Sequence, residues 1–231
     1  MIRIGAIVVN VADTRRGAAF CRARRPRRKP VLCDRHERLT YAHRRYCHPM
    51  PRLIHLNGPS RVGKSTLARR YINEHPGALA LDLDVLVELV GGWRDDFSGA
   101  LGVARAHVRT LATQHLSEGH DVVFPQLVTV HDRDPDAGLE KTARAADATY
   151  IEVALLVDDE RTRRLRDKHP ASEVEERIQA WLEEPGSDLA VRIRRHLEEY
   201  LVGRPHTVRL DTTGLDEDAS YERLLEAIAT A

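Results

Sequence analysis

Eight consecutive residues, Gly58-Pro59-Ser60-Arg61-Val62-Gly63-Lys64-Ser65, fit the pattern G-x-x-x-x-G-K-[ST] without a mismatch. These residue types at this spacing describe a device for holding phosphate. Glycines let the backbone curl until its N–H groups point inward at phosphate oxygens. The Lys ammonium reaches the β- and γ-phosphates, and the Ser hydroxyl ligates Mg²⁺. A following helix adds the positive end of its dipole. Pro59 has no N–H to give, but it stands at the start of the loop, and the amides that matter most run from about Val62 to Thr66. Gly58, Pro59, Ser60, Arg61, Val62, Gly63, Lys64, Ser65 and Thr66 are therefore the candidate nucleotide-binding residues. A nucleoside triphosphate with Mg²⁺ is the expected ligand.

A second constellation lies downstream, at Asp82-Leu83-Asp84. At the end of a strand the two carboxylates would project on one face, since side chains alternate with a period of two. One can help hold Mg²⁺, directly or through water, and the other can accept the proton of an attacking hydroxyl. Asp84, Asp82 and Lys64 are the candidate catalytic residues; Ser65 and Asp82 are the candidate metal ligands. The competing explanation is helix capping by Asp84, which precedes an apolar helical run.

The elements that must position these groups are legible around them. Leu53-Ile54-His55-Leu56-Asn57 reads as a short buried strand leading into the glycine loop. Apolar residues at 67, 68, 71 and 72 then take helical spacing. A strand is expected over 78–83, a helix over 85–90, and a longer helix over about 98–118 that stops at Gly119. Strands over 121–130 (interrupted by Pro125), 151–157 and 206–210 alternate with helices over 139–146, 158–168, 173–183, 187–201 and 217–229. The strand at 151–157 is apolar except for Glu152, as in a sheet buried on both faces. Such alternation predicts an α/β fold with a parallel sheet covered on both sides.

The chain has 231 residues, 42% hydrophobic and 31% charged, which suits a globular protein with a substantial core. No apolar run approaches the length of a membrane span, and the apolar opening Ile2–Val11 is broken by Arg3, Gly5 and Asn10 without a clear cleavage site. Three cysteines (Cys21, Cys33, Cys47) argue against a full disulfide framework and for a cytoplasmic location. The net charge of +1 hides a division. Residues 1–50 carry 13 Lys/Arg against 3 Asp/Glu, a balance of +10; the rest carry 23 against 32, a balance of −9. Residues 1–49 are expected to be a basic, poorly packed N-terminal extension, and 50–231 the folded domain, with Met50 a candidate natural start. In the extension His43 and His48 have a spacing zinc tolerates, but no close Cys pair accompanies them. The arginine cluster at 22–29 could serve as a nucleic-acid arm. The opening Met1–Asp13 resembles the first strand of a glyoxalase/bleomycin-resistance module, over about twenty residues only.

From Arg52 onward the chain resembles the P-loop kinases of the nucleotide- and shikimate-kinase type. Within them it most resembles the chloramphenicol phosphotransferase-like and small AAA-labelled actinobacterial ATP-binding proteins. The resemblance implies a three-layer P-loop NTPase fold: a five-stranded parallel sheet of order 2-3-1-4-5 with helices on both faces. It implies that the first Asp of the Asp82/Asp84 pair serves the metal and the second the substrate hydroxyl. It also implies a lid after the fourth strand, in which Arg164 packs on adenine and Lys168 follows one turn later. The third strand departs from the family's frequent Asp ending, having Phe124-Pro125-Gln126 instead.

Two other readings compete. The apolar strand followed by Asp158-Asp159-Glu160 imitates the ending found in mechanical ATPases, where an acid activates water. The chain beyond Met50 leaves little room for such a machine's helical domain. Asp211-Thr212-Thr213-Gly214 imitates a GTPase D-x-x-G but comes after the last strand, and no N-K-x-D is present, so ATP is favoured. The expectation is an ATP- and Mg²⁺-dependent phosphotransferase acting on a small hydroxylated molecule, monomeric or homodimeric, with Trp93, Arg94 and Gln126 as candidate acceptor-pocket residues. A nucleotide-binding ATPase or switch, or a polynucleotide kinase, are the alternatives.

Overall fold

β1 (Arg52–Asn57) is buried from Leu53 to Asn57, a run that only a strand covered on both faces sustains. It is the centre of a five-stranded sheet with β2 (Leu79–Ala80), β3 (Val122–Pro125), β4 (Thr149–Leu156) and β5 (Val208–Asp211). The order is β2-β3-β1-β4-β5, as the resemblance implies, and every pair is parallel, as the alternation of strands and helices predicts. Leu53 stands level with Val122 on one side and Tyr150 on the other. This computed structural model describes residues 50–130, 137–158, 170, 172–184, 186 and 188–231. The basic stretch 1–49, with its cysteines and His43 and His48, lies outside the described residues. So do Asp159, Glu160, Arg164 and Lys168.

Helices cover both faces. α1 (Lys64–Glu74) and α7 (Glu217–Thr230) pack Leu67, Tyr71, Leu224 and Ile228 against Ile54, Leu56, Val153 and Leu155. On the other face α2 (Leu83–Glu88), α3 (Phe97–Ser117), α4 (Ala137–Ala145) and α5 (Glu173–Glu183) enclose Leu53, Val122 and Phe124. α3 presents Ala100, Ala104, Val108, Ala112 and Leu116 at four-residue spacing, so its buried stripe is mostly small side chains. Asp96 caps its start, accepting a hydrogen bond from Gly99 N at 2.8 Å. α6 (Leu189–Val202) lays Leu197, Tyr200 and Leu201 over Ala154.

Three boundaries differ from expectation. β2 stops at Ala80, short of 83, because Asp82 begins a helix. β3 ends at Pro125, short of the expected 130, and a single further backbone bond to β1 follows it, from Gln126 N to Leu56 O. The last strand starts at Val208 and reaches Asp211.

Candidate active site: the phosphate loop and its carboxylates

Asn57 closes β1 and fixes how the loop leaves the sheet. Its Oδ1 accepts from Gly58 N at 2.8 Å and Val128 N at 2.9 Å, and its Nδ2 donates to Val128 O at 3.1 Å and Glu152 Oε1 at 3.0 Å. Every hydrogen-bonding position of a fully buried amide is thus used. Gly58 follows at φ 145°, and a Cβ there would stand 2.7 Å from the Leu155 carbonyl oxygen. Only glycine takes that backbone so close to β4. Beneath it lies an interior network. Glu152 also accepts from Tyr200 OH at 3.0 Å and Thr207 Oγ1 at 2.7 Å, and its Oε1 lies 3.3 Å from His55 Nδ1. His55 in turn meets Tyr150 OH at 3.0 Å and the Gln126 carbonyl at 2.9 Å. Burial alone would raise the Glu152 pKa. The hydrogen bond and charge of His55, with Thr207 and Asn57, outweigh that and hold it below the usual Glu value.

The loop ends on Gly63, which starts α1 at φ 105° and supplies no side-chain cap, and the first turn carries no acid. The helix therefore presents backbone N–H groups and the positive end of its dipole to whatever the loop holds. Ser65 and Thr66 are exposed there. Lys64 Nζ donates to Gly58 O at 2.9 Å and Pro59 O at 2.6 Å, curling its side chain back over the loop. Burial lowers its pKa to about 8, against the opposing charges of Asp84, Asp82 and Glu175.

The two aspartates arrive by a route other than a shared strand face. Asp82 is the N-cap of α2, its side chain accepting from Asp84 N at 3.1 Å. Asp84 sits in the helix's first turn. The capping role expected for Asp84 thus belongs to Asp82, and both still act on Lys64. Burial raises the Asp84 pKa to about 6, helped by Asp82, Glu175 and Glu88 and opposed by Lys64. A half-buried carboxylate with that pKa beside a lysine has the protonation behaviour of a general base near neutral pH.

Glu175 is the group that sequence reading passed over. It sits in α5, expected only as a helix over 173–183, yet its charge reaches Lys64 and Asp84. Arg61 binds it, Nε to Oε1 at 3.2 Å, and also donates to Gln179. The expected acceptor-pocket residues lie apart in character. Trp93 is 5% exposed and belongs to the core. Arg94 stacks over the Trp93 ring at 4.7 Å and pairs with Glu173 of α5. Gln126 is half-buried at the carboxyl end of β3, its N–H donating to Leu56 O at 3.1 Å. Among the described residues no cluster of three or more His, Cys, Asp or Glu is arranged to hold a metal, and no helix is long and apolar enough to cross a membrane.

The model of the AAA domain family matches residues 53–185, from β1 through α5. The chain belongs to the AAA domain family. The match takes in the phosphate loop, both aspartates and Glu175. No curated protein matches the chain. Among solved structures, this AAA domain is similar to the Mycobacterium tuberculosis APS kinase in complex with AMPPNP and APS. The TM-score is 0.53 at 20% identity, over 78% of this chain and 99% of that one. It is also similar to thymidylate kinase from Candida albicans, with a TM-score of 0.52 at 13% identity over 78% of this chain and 92% of that one. At such identities the likeness is one of fold, and the fold is that of P-loop kinases.

Proposed function

We propose that this AAA domain is an ATP-dependent phosphotransferase that moves the γ-phosphate to a hydroxyl of a small molecule, with residues 50–231 as the catalytic unit. The observation that carries the reading is a juxtaposition: Lys64 curls over the phosphate loop at the uncapped start of α1, and Asp84, half-buried in the first turn of α2, acts on its charge. The solved kinases of the same fold support it, one of them in complex with a nucleotide analogue and its substrate.

In this reading the loop amides from Val62 to Thr66 and the Lys64 ammonium hold the β- and γ-phosphates. Bringing phosphate beside Lys64 favours its charged form and draws Nζ from the carbonyls of Gly58 and Pro59. Ser65, exposed at the start of α1, and Asp82, through water, would hold Mg²⁺, which neutralises charge on the phosphate oxygens when bound. Asp84 accepts the proton of the acceptor hydroxyl as its oxygen bonds to the γ-phosphorus and ADP departs. The acceptor enters beside Arg94 and Gln126, with Trp93 packed behind Arg94. Arg164 and Lys168 close over the nucleotide. The closeness to chloramphenicol phosphotransferase-like proteins belongs to the same proposal and favours a hydroxylated antibiotic or metabolite as acceptor.

The experiment is a screen of hydroxylated acceptors (antibiotics, nucleosides, sugars, central metabolites) for transfer of labelled γ-phosphate from ATP, repeated with Asp84→Asn. An acceptor phosphorylated by the wild type and not by the variant, with ATP still bound by both, supports the reading. Hydrolysis to ADP at a rate no acceptor changes, equal in both proteins, overturns it.

A further inference from the structure

α5 touches three parts of the site at once. Val174 is fully buried in the core, and its N–H donates to Glu88 Oε1 of α2 at 3.2 Å. Glu173 pairs with Arg94, and Arg177 donates to the Arg94 carbonyl at 2.5 Å while stacking over Phe97 and Trp181. Glu175 and Gln179, one helical turn apart, both receive Arg61. So α5 is joined to the helix that carries Asp84, to the segment that carries Arg94, and to the phosphate loop itself.

The loop end of this connection is unusual. Arg61 holds φ 66°, the left-handed region that non-glycine residues enter at a cost. From that backbone the side chain reaches α5. The Arg61 side chain, 7% exposed, meets two acceptors on α5. Ser172 caps α5, accepting from Glu175 N at 3.1 Å, and Ser172-Glu173-Val174-Glu175 has the S-x-x-E form of a capping box. The glutamate that such a box would use on its own helix is reached by Arg61. A left-handed backbone occupied by a long cationic side chain, which is then spent on a partner 114 residues away, is a strained position held by a specific cross-link.

We propose that Arg61 is a positioning residue that fastens α5 to the phosphate loop, so that filling the loop with phosphates orders α5 and with it the acceptor side of the site. The proposal rests on the nucleotide-binding reading above and adds what that reading lacks, a coupling between the two substrates. The loop backbone shifts only when phosphates enter; Arg61 transmits that to Glu175 and Gln179, and α5 transmits it to Arg94 through Glu173 and Arg177. Nucleotide and acceptor then bind with positive cooperativity, each raising affinity for the other by the same factor.

The test is amide hydrogen exchange on the full chain, with and without Mg²⁺ and AMP-PNP, for the wild type, Arg61→Gly and Glu175→Gln. Glycine suits the left-handed backbone, so Arg61→Gly keeps the loop's shape while removing the link. In the wild type AMP-PNP slows exchange both in the loop and across residues 173–183. In Arg61→Gly it slows exchange in the loop alone, and residues 173–183 exchange at least about tenfold faster without ligand. Glu175→Gln, which leaves the loop backbone untouched, gives the same pattern more weakly, and the double variant adds less than the product of the two. Exchange across 173–183 in Arg61→Gly equal to the wild type, with and without AMP-PNP, overturns the link. A wild type that binds no AMP-PNP overturns the nucleotide reading instead, and the ligand-free comparison of the three proteins still decides whether Arg61 holds α5. Kinetics on an accepted substrate give the second readout: Arg61→Gly raises the acceptor KM at saturating ATP and the ATP KM at saturating acceptor by the same factor, about tenfold, where a merely destabilised protein would lose kcat with neither KM altered.

Discussion

Asn57 and Glu152 meet across adjacent strands, Nδ2 to Oε1 at 3.0 Å, directly beneath the point where the phosphate loop leaves the sheet. The same Asn57 amide holds Gly58 N and both backbone groups of Val128, so the buried carboxylate orients the group that orients the loop. The interior of β1 and β4 is polar here because the loop needs a fixed root, and a satisfied network is rigid in a way an apolar patch is not.

Asn57→Ala removes four hydrogen bonds from a buried site and leaves Gly58 N and the Val128 backbone without that partner. It should cost about 2–4 kcal/mol of stability, measured by urea unfolding, and weaken ATP binding more than acceptor binding. Glu152→Gln tests the charge separately. Because the folded Glu152 pKa lies below its ordinary value, its contribution is present above about pH 4.5 and fades as pH falls through the folded pKa. The variant should therefore show a shallower loss of Tm on acidification than the wild type.

The rate profile follows from two groups that must be in opposite states. In the proposed transfer Asp84 is ionised to take a proton, and Lys64 is protonated to hold phosphate. Their pKa values of about 6 and about 8 predict that kcat/KM rises through the first and falls through the second, a bell centred near neutrality. In the nucleotide complex the phosphates favour the ammonium, so the alkaline limb of kcat should lie at higher pH than that of kcat/KM. Coincident alkaline limbs would remove Lys64 as their source.

Asp84→Asn should separate function from stability. Transfer should fall by about 10²–10⁴. The folded protein prefers the protonated form of Asp84, so stability attached to this group is greatest below about pH 4 and declines as pH rises through about 6. Removing the charge should then raise stability at pH 7 by about 1–2 kcal/mol and change nothing at pH 4. Thermal melts at the two pH values check this; a variant less stable at pH 7 would contradict it.

Gly58→Ala should be damaging although it adds one methyl group. The Cβ would meet a backbone oxygen of β4 at 2.7 Å, and φ 145° disfavours any side chain. The expected loss is about 2–4 kcal/mol with ATP affinity reduced at least tenfold, read by unfolding and by isothermal titration. Gly63→Ala, where a Cβ would meet nothing within 4 Å, should cost less stability.

The loop and the alternation of strands with helices were legible because both leave local marks, a motif complete within eight residues and apolar strands at regular intervals; the order of the strands was implied only by the resemblance to P-loop kinases. The short β2 was hidden because Leu81 and Leu83 are apolar and buried whether they sit in a strand or a helix start. Only the bond from Asp84 N to Asp82 decides the matter, and it is a capping bond. Glu152 and His55 were visible as polar interruptions in apolar runs, but their partners stand 95 residues apart in the chain, so the network had no local signature. Glu175 was unreadable for the same reason. An acid in the first turn of a charged helix looks solvated until the helix is docked against Arg61.

The order β2-β3-β1-β4-β5 has a consequence for how the molecule comes into being. Among the described residues β1 is the first strand, and it pairs not with β2 but with β3 and β4. A growing chain that has emerged only through β3 holds β1 with one edge bare, and the glycine loop hangs from it without Glu152 beneath or Leu155 beside. The root of the loop is thus completed late in folding, gated by a parallel pairing that no hairpin can nucleate. Chaperones and temperature during synthesis should therefore govern the yield of active protein more strongly than the final stability does.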